Sequence, residues 1–268
     1  MKNVLVNWSW GDKCIESIDG EIFLKSLKVL PNNVDRVCFV KDISLHNIEL
    51  LKKYFNIIVQ STEKDQYSSH FDIYKWLIDK QDHYEYVLQT DLRDVIFQKN
   101  PFEFFNTNKQ YDMFYCLEGM QIKENDCNMF WHNHLQSILQ HHNGYYADNL
   151  IINGGLIGGK VSAYCNHLLN IFTNTNRLNK YQVVDQQFLG YLYQFLILNP
   201  KIKMCHPYDD NFCATGEAIK RNNIEVKYND TTVCNLQNEP YYVFHQWDRT
   251  EIVDKIRNKH KNALSFIL

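Results

Sequence analysis

Three short segments of the chain carry side chains of the kind that do chemistry. The first is Thr90-Asp91-Leu92-Arg93-Asp94, directly after the strand-like run Tyr84–Gln89. Two carboxylates and a guanidinium this close suit a hard cation such as Mg²⁺ or Mn²⁺. Such an ion takes one or two carboxylates and completes its shell with water and phosphate oxygens. An Asp here can also accept hydrogen bonds from a ribose, and an Asp–Arg pair capping the strand is the plain structural alternative. The second segment is Asn153-Gly154-Gly155-Leu156-Ile157-Gly158-Gly159. Glycines let the backbone come close to a ligand, so this is either a buried strand that a substrate touches or a bend that only packs. Further on, Asp185-Gln186-Gln187 opens an apolar helix, where Asp185 can serve simply as an N-terminal cap. The third segment is Phe244-His245-Gln246-Trp247-Asp248-Arg249. A neutral imidazole at a strand end can ligate a metal or be an ordinary buried histidine. Arg249 can grip a phosphate or pair with Asp248 or Glu251.

The elements that must position these groups alternate in the first half of the chain. Val4–Asn7 predicts a strand ending in a Trp8-Ser9-Trp10-Gly11 turn, Glu21–Leu30 a helix that stops before Pro31, and Arg36–Val40 a second strand. Ile48–Phe55 predicts a helix, Ile57–Val59 a third strand, Phe71–Ile78 a helix and Tyr84–Gln89 a fourth strand. Strands separated by helical patterns imply βαβ units and a parallel sheet. In such sheets ligands bind beyond the carboxyl ends of the strands, where Asp91 stands. The second half is less regular. Met113–Cys116 and Tyr241–Phe244 predict strands, Val161–Phe172 and Val184–Leu198 helices, and Glu251–Lys261 a charged terminal helix. Glu118–Asp148, polar and rich in histidine, predicts a loop or helical insertion. With no repeat and no Pro/Gly/Ser linker, one domain over 1–268 is expected.

Composition narrows the classes. The chain has 268 residues, 45% hydrophobic and 22% charged, as a foldable globular chain does. Lys+Arg of 28 against Asp+Glu of 31, with six Arg, leaves no basic excess for a nucleic-acid partner. The longest apolar stretch, Phe188–Leu198, is interrupted by Gly190 and Gln194 and falls short of the roughly 20 residues of a membrane span. MKNVLVNWSWGDK is no signal peptide, so a cytoplasmic, reducing location is expected. The eight Cys stand singly, which predicts buried free thiols rather than a disulfide or zinc framework.

Taken in order, the strand-borne Asp-x-x-Asp, the Asn-Gly-Gly strand, the Asp-Gln and the late His resemble the nucleotide-sugar glycosyltransferases of the GT-A fold. They are most similar to glycogenin-like retaining transferases and their bacterial galactosyltransferase relatives. Tyr86–Phe105 (YVLQTDLRDVIFQKNPFEFF) also resembles a glycosyltransferase family with an Asp-x-Arg-Asp signature. The resemblance spans roughly residues 3–249 and implies a mixed, mostly parallel α/β sheet flanked by helices, with a nucleotide-binding half over 1–116 and an acceptor-binding half over 117–268.

The resemblance also implies roles. Asp91 matches the first Asp of the motif, on ribose and metal. Arg93 stands where a second metal-binding Asp is expected, so either Asp94 takes that role or Arg93 neutralises diphosphate. His245 completes the metal site for Mn²⁺ or Mg²⁺. Asn153, Gly154 and Gly155 face the donor sugar, and Asp185 and Gln186 lie under it. Asn7 and Trp8 follow the first strand, where uracil and ribose bind. After His245 the sequence has Gln-Trp-Asp-Arg in place of the family's usual Gly and Lys, so Arg249 is a diphosphate candidate by its own chemistry and not by the resemblance. The implied reaction is metal-assisted transfer of a sugar, from a UDP-sugar in particular, to a glycan or protein hydroxyl, with retention. If the enzyme inverts instead, Asp185, Asp209 or Asp210 would be the general base. His132, His134, His141 and His142 read better as a solvated helix face or an acceptor-side loop than as a metal site, and Trp131, Tyr145 and Tyr146, if exposed, can stack on an acceptor sugar. The rivals are a non-catalytic nucleotide-sugar-binding homologue and a sugar-phosphate nucleotidyltransferase, whose usual Gly-rich loop is replaced here by NWSWGDK.

Overall fold

The computed structural model describes residues 1–63, 69–139, 146–178, 185–221 and 224–265, without the side chains of 69, 139, 171–178, 185, 194 and 262–265. Its centre is a sheet formed by β1 (Lys2–Trp10), β2 (Val34–Lys41), β3 (Ile57–Gln60) and β4 (Tyr84–Thr90), followed, after a short β5 (Val95–Phe97) that lies elsewhere, by β6 (Met113–Gln121), β7 (Leu150–Lys160) and β8 (Ile202–Cys205). The seven strands lie in the order β3-β2-β1-β4-β7-β6-β8. In this sheet β7 runs antiparallel to both its neighbours, and every other adjacent pair is parallel. The mixed, mainly parallel sheet is the one expected.

Alternation along the strands builds two cores. Leu5, Leu88, Phe114 and Leu156 point to one face and pack with Phe23, Phe102 and Phe105, which come from the helices Ile18–Ser26 and Pro101–Thr107. Val4, Val6, Val87, Tyr115 and Ile157 point to the other and meet Ile73, Leu77, Tyr164 and Leu189 of the helices Ser69–Ile78, Val161–Leu178 and Asp185–Leu196. Both faces being covered, β4, β6 and β7 read as nearly continuous apolar runs. Local signals place the helices. Ser17 and Ser44 accept hydrogen bonds from the Gly20 and Asn47 amides, and Asn100 caps a helix that starts with Pro101.

A second, three-stranded sheet is built from β5, β9 (Cys213–Thr215) and, after the hairpin of β10 (Lys227–Asn229) and β11 (Thr232–Cys234), β12 (Val243–His245). Its order is β5-β12-β9, with β12 antiparallel to β5 and parallel to β9.

Several expectations need correcting. β1 does not turn at Trp8, because its parallel register with β2 continues from Trp8↔Phe39 to Trp10↔Lys41. The turn comes at Gly11, whose φ of +74° favours glycine. Asn7 and Trp8 therefore lie within the strand, not after it. β6 runs on to Gln121, so Glu118 is in a strand, and a helix at Asp126–Leu139 follows. All eight cysteines are free and most are buried, but Cys127 is exposed. No helix among the described residues is long and apolar enough to cross a membrane.

Candidate active site

β4 ends at Thr90, and the next residue keeps its ladder going, the Asp91 amide donating to the Gly155 carbonyl at 2.9 Å. Asp91 is thereby seated against β7. Asp94 immediately precedes β5, whose Val95 pairs with His245 of β12. The Gln246 amide donates to the Asp94 carbonyl at 2.7 Å and closes that second ladder. Two ladders from two sheets thus bring three distant side chains to one point. His245 Nε2 lies 3.6 Å from Asp91 Oδ2 and 3.4 Å from Asp94 Oδ1. One ligand atom from each residue lies within 4.8 Å of the other two. The His245 side chain is 2% exposed, that of Asp94 10% and that of Asp91 39%, so the group opens to solvent past Asp91.

These residues fit a divalent ion. Two carboxylates and an imidazole are a donor set that Mn²⁺ and Mg²⁺ accept, and the backbone is shaped around them. A Cβ on Gly155 would sit 2.2 Å from Asp91 Oδ2 and 2.9 Å from His245 Cε1. Only a residue without one lets β7 pass so close.

Charges are shared across the group. Burial works to lower the His245 pKa, but the facing carboxylates of Asp94 and Asp91 outweigh it and leave the pKa well above the usual imidazole value. Burial likewise works to raise Asp94, and the imidazole, with Arg93 and Arg249, holds its carboxyl below the ordinary range. An ion binding here displaces the imidazole proton. The apparent Mn²⁺ affinity should therefore rise about tenfold per pH unit while the pH stays below the raised His245 pKa. Titration of Mn²⁺ by paramagnetic relaxation between pH 6 and 8.5 checks this, and a flat profile would show that His245 does not bind the ion. In EDTA the sign reverses. A raised pKa makes the imidazolium stabilise the fold below about pH 6.5, and that contribution fades as pH climbs through the raised value.

No protein-family model and no curated protein matches the chain. Solved structures do. An active-site Gln-to-Glu mutant of LgtC matches at 15% identity and a TM-score of 0.54, over 97% of this chain and 95% of that one. The galactosyltransferase LgtC in complex with donor and acceptor sugar analogues matches at 14% and 0.52, over 96% and 95%. The bifunctional glycosyltransferase WbbM matches at 14% and 0.54, over 97% of this chain and half of that one. The chain has a GT-A fold. Asp91 of the triad lies just past the carboxyl end of β4, where sheets of this kind place their ligands.

The other sequence-derived candidates fall around it. Arg93, 51% exposed, reaches Asp248 loosely at 3.6 Å, and Arg249 reaches Glu217 at the same distance. Asn7 is fully buried and donates to the Thr90 carbonyl (2.8 Å) and hydroxyl (2.6 Å), so it braces the strand end beneath Asp91. Trp8 is half-buried, with its ring edge-on to His70 at 5.4 Å. Gly154 donates from its amide to Gln186 Oε1 at 3.5 Å, and its carbonyl accepts from Gln89 at 3.4 Å. Asp185 opens its helix, but its side chain lies outside the described residues. Asp210 is tied to Lys203 at 2.8 Å.

The histidine-rich segment is helical where it is described, but it is not a solvated face at His132, and Tyr146, offered as a stacking residue, is buried with it. His132 is buried against Tyr146, with ring centroids 4.1 Å apart, and His134 stacks on Phe130. His141, His142 and Tyr145 lie outside the described residues. Among the described residues the Asp91, Asp94 and His245 group is the one suited to a metal.

Sequence reasoning missed Glu118 and Gln246. Glu118, 3% exposed on β6, accepts from Asn153 and Gln246. The signal was present, since the apolar pattern of Met113–Cys116 continues through Leu117, Met120 and Ile122 and so buries whatever lies between.

Proposed function

We propose that the chain is a glycosyltransferase that moves a sugar from a nucleotide-sugar donor, a UDP-sugar first, to a glycan or protein hydroxyl, with retention at the anomeric carbon. The observation that carries this is the meeting of Asp91, Asp94 and His245 against the Cβ-free Gly155 in a GT-A fold. Support comes from LgtC, of similar fold, whose structure holds donor and acceptor sugar analogues. Mn²⁺ or Mg²⁺ in that group would supply Lewis-acid stabilisation of the diphosphate leaving group. The chain's own residues do the rest. Arg93 and Arg249, both loosely paired, neutralise the diphosphate charge as it grows. Asn153, Gly154, Gly155 and Gln186 form the floor on which the sugar lies, where Gln186 and Asp185 meet an oxocarbenium-like transition state. Trp8 offers an aromatic edge to the base, and Asn7 holds the strand end that carries Asp91.

The test is nucleoside-diphosphate release from a panel of UDP-, GDP- and other nucleotide sugars, with Mn²⁺, Mg²⁺ or EDTA. Metal-dependent release from one donor is expected, and Asp91→Ala and Asp94→Ala should each lower it by on the order of 100-fold or more. A chain that releases nothing and is stabilised by no nucleotide is not a transferase. One rival has an observation in its favour, Arg93 at the place of the second Asp. Nucleotide binding without release would establish that non-catalytic homologue instead.

A further inference from the structure

We propose that Glu118 is a positioning residue for the donor-sugar side of this site, a carboxylate oxygen shared by the N–H ends of three amides, one of which, Gln186, it holds together with Asn128 Oδ1 at 3.3 Å. The inference rests on the transferase function proposed above. Glu118 Oε1 accepts from Asn153 Nδ2 at 2.9 Å, from Gln246 Nε2 at 3.3 Å and from Gln186 Nε2 at 3.5 Å. Each of the three amides turns its oxygen onto a backbone N–H. Asn153 Oδ1 accepts from Gly155 at 2.9 Å, Gln186 Oε1 from Gly154 at 3.5 Å, and Gln246 Oε1 from Glu217 at 3.4 Å. An amide flipped by half a turn exchanges donor for acceptor. Here a carboxylate on one side and a peptide N–H on the other agree on the same orientation three times.

The three amides come from parts of the chain that meet nowhere else in sequence. Asn153 lies on β7 two residues before Gly155, the residue pressed against Asp91. Gln186 lies in the first turn of the helix Asp185–Leu196. Gln246 follows the His245 ligand and holds a left-handed φ of 56°, a conformation non-glycine residues adopt sparingly. Its carbonyl lies against Gly216, where a Cβ would come within 1.8 Å. Glu118 therefore ties the strand behind Asp91, the helix beneath the sugar and the residue after His245 into one unit. A buried carboxylate with these donors is satisfied, and without them it would be a buried charge of high cost.

A charge exchange between Glu118 and Gln186 tests this on the full-length chain. Gln186→Glu sets two carboxylates at the 3.5 Å contact, where neither can donate while both are charged. Glu118→Gln keeps the shape and one acceptor oxygen but removes the negative charge that lets this oxygen anchor three N–H donors. The double variant E118Q/Q186E restores one donor and one acceptor with their roles exchanged. With the donor found by the panel, each single variant should lower kcat by about 100-fold, and the double should recover about tenfold over the weaker single. Calorimetric affinity for UDP with Mn²⁺ should fall by no more than about tenfold, far less than kcat, since Glu118 touches none of Asp91, Asp94 and His245 itself. A simple loss of folding would move UDP affinity and kcat together. Glu118→Gln within twofold of wild type, or a double variant with no recovery, overturns the role of Glu118 and leaves the transferase standing. A wild-type chain that turns over no donor overturns both.

Discussion

Gly155→Ala should leave the protein folded and weaken divalent-ion binding at the proposed Asp91, Asp94 and His245 site. The added Cβ would meet the far end of the Asp91 side chain at 2.2 Å and an edge atom of His245 at 2.9 Å. Asp91 is the most open of the three ligands, so its carboxylate yields by swinging toward solvent. The backbone ladder from Asp91 to Gly155 can then persist. A rearranged ligand should cost on the order of 10–100-fold in Mn²⁺ affinity and a comparable factor in donor turnover. Thermal melting in EDTA should stay within a few degrees of wild type. A Mn²⁺ titration beside the melt measures both. Normal Mn²⁺ affinity in a folded Gly155→Ala chain would mean that Asp91 is not a ligand. Gly216→Ala makes the contrast, because there the clash is with the Gln246 main-chain carbonyl at 1.8 Å. Backbone cannot swing aside, so that variant should lose stability as well as chemistry.

Phe105→Ala should cost about 3–5 kcal/mol of folding stability, near the upper end for a single side chain. Phe105 stacks on Phe114 with centroids 4.4 Å apart and planes 18° apart, and it touches the rings of Phe102, Phe212 and Tyr86. Beneath it lies Gly158, where a Cβ would come within 2.5 Å of the Phe105 ring. Ring and glycine are complementary, so an alanine leaves a void that fully buried neighbours on β6 and the opposing loop cannot close. Urea unfolding should show a lower midpoint at an unchanged slope. A loss below about 1 kcal/mol would mean that the aromatic cluster collapses around the gap.

The sequence was most informative where chemistry and periodicity coincided. The run YEYVLQ is a strand because its residues face two covered cores in alternation, and the polar residues after it stand at the sheet edge for the same reason. The glycine run of β7 split into two meanings that composition could not separate. Gly155 makes room for the site, while Gly158 and Gly159 make room for Phe105 and Met113. The antiparallel sense of β7 was also hidden, since a strand buried on both faces looks alike in either direction. Glu118 was lost to a polar, histidine-rich stretch because its partners are amides from remote segments. Burial there is decided by tertiary packing, on which local polarity is silent. The strands β5 and β9, each three residues long, lie below the length at which a periodicity can be read, whereas β12 at Val243–His245 was legible as the apolar run Tyr241–Phe244.

Because one ligand pairs through β5 and another belongs to β12, the site is also ordered in time. During synthesis both carboxylates leave the ribosome well before the imidazole. At roughly 5–20 residues per second, the stretch from residue 94 to residue 245 takes on the order of 8–30 s to make. For that interval a nascent chain already able to pair β1, β2, β3 and β4 carries a partial chelate with no histidine to finish it, and the edges of β4 and β5 wait for partners made later. The candidate ligand set thus stays incomplete until the second sheet closes, and among the described residues the last strand to be translated is the one that completes it.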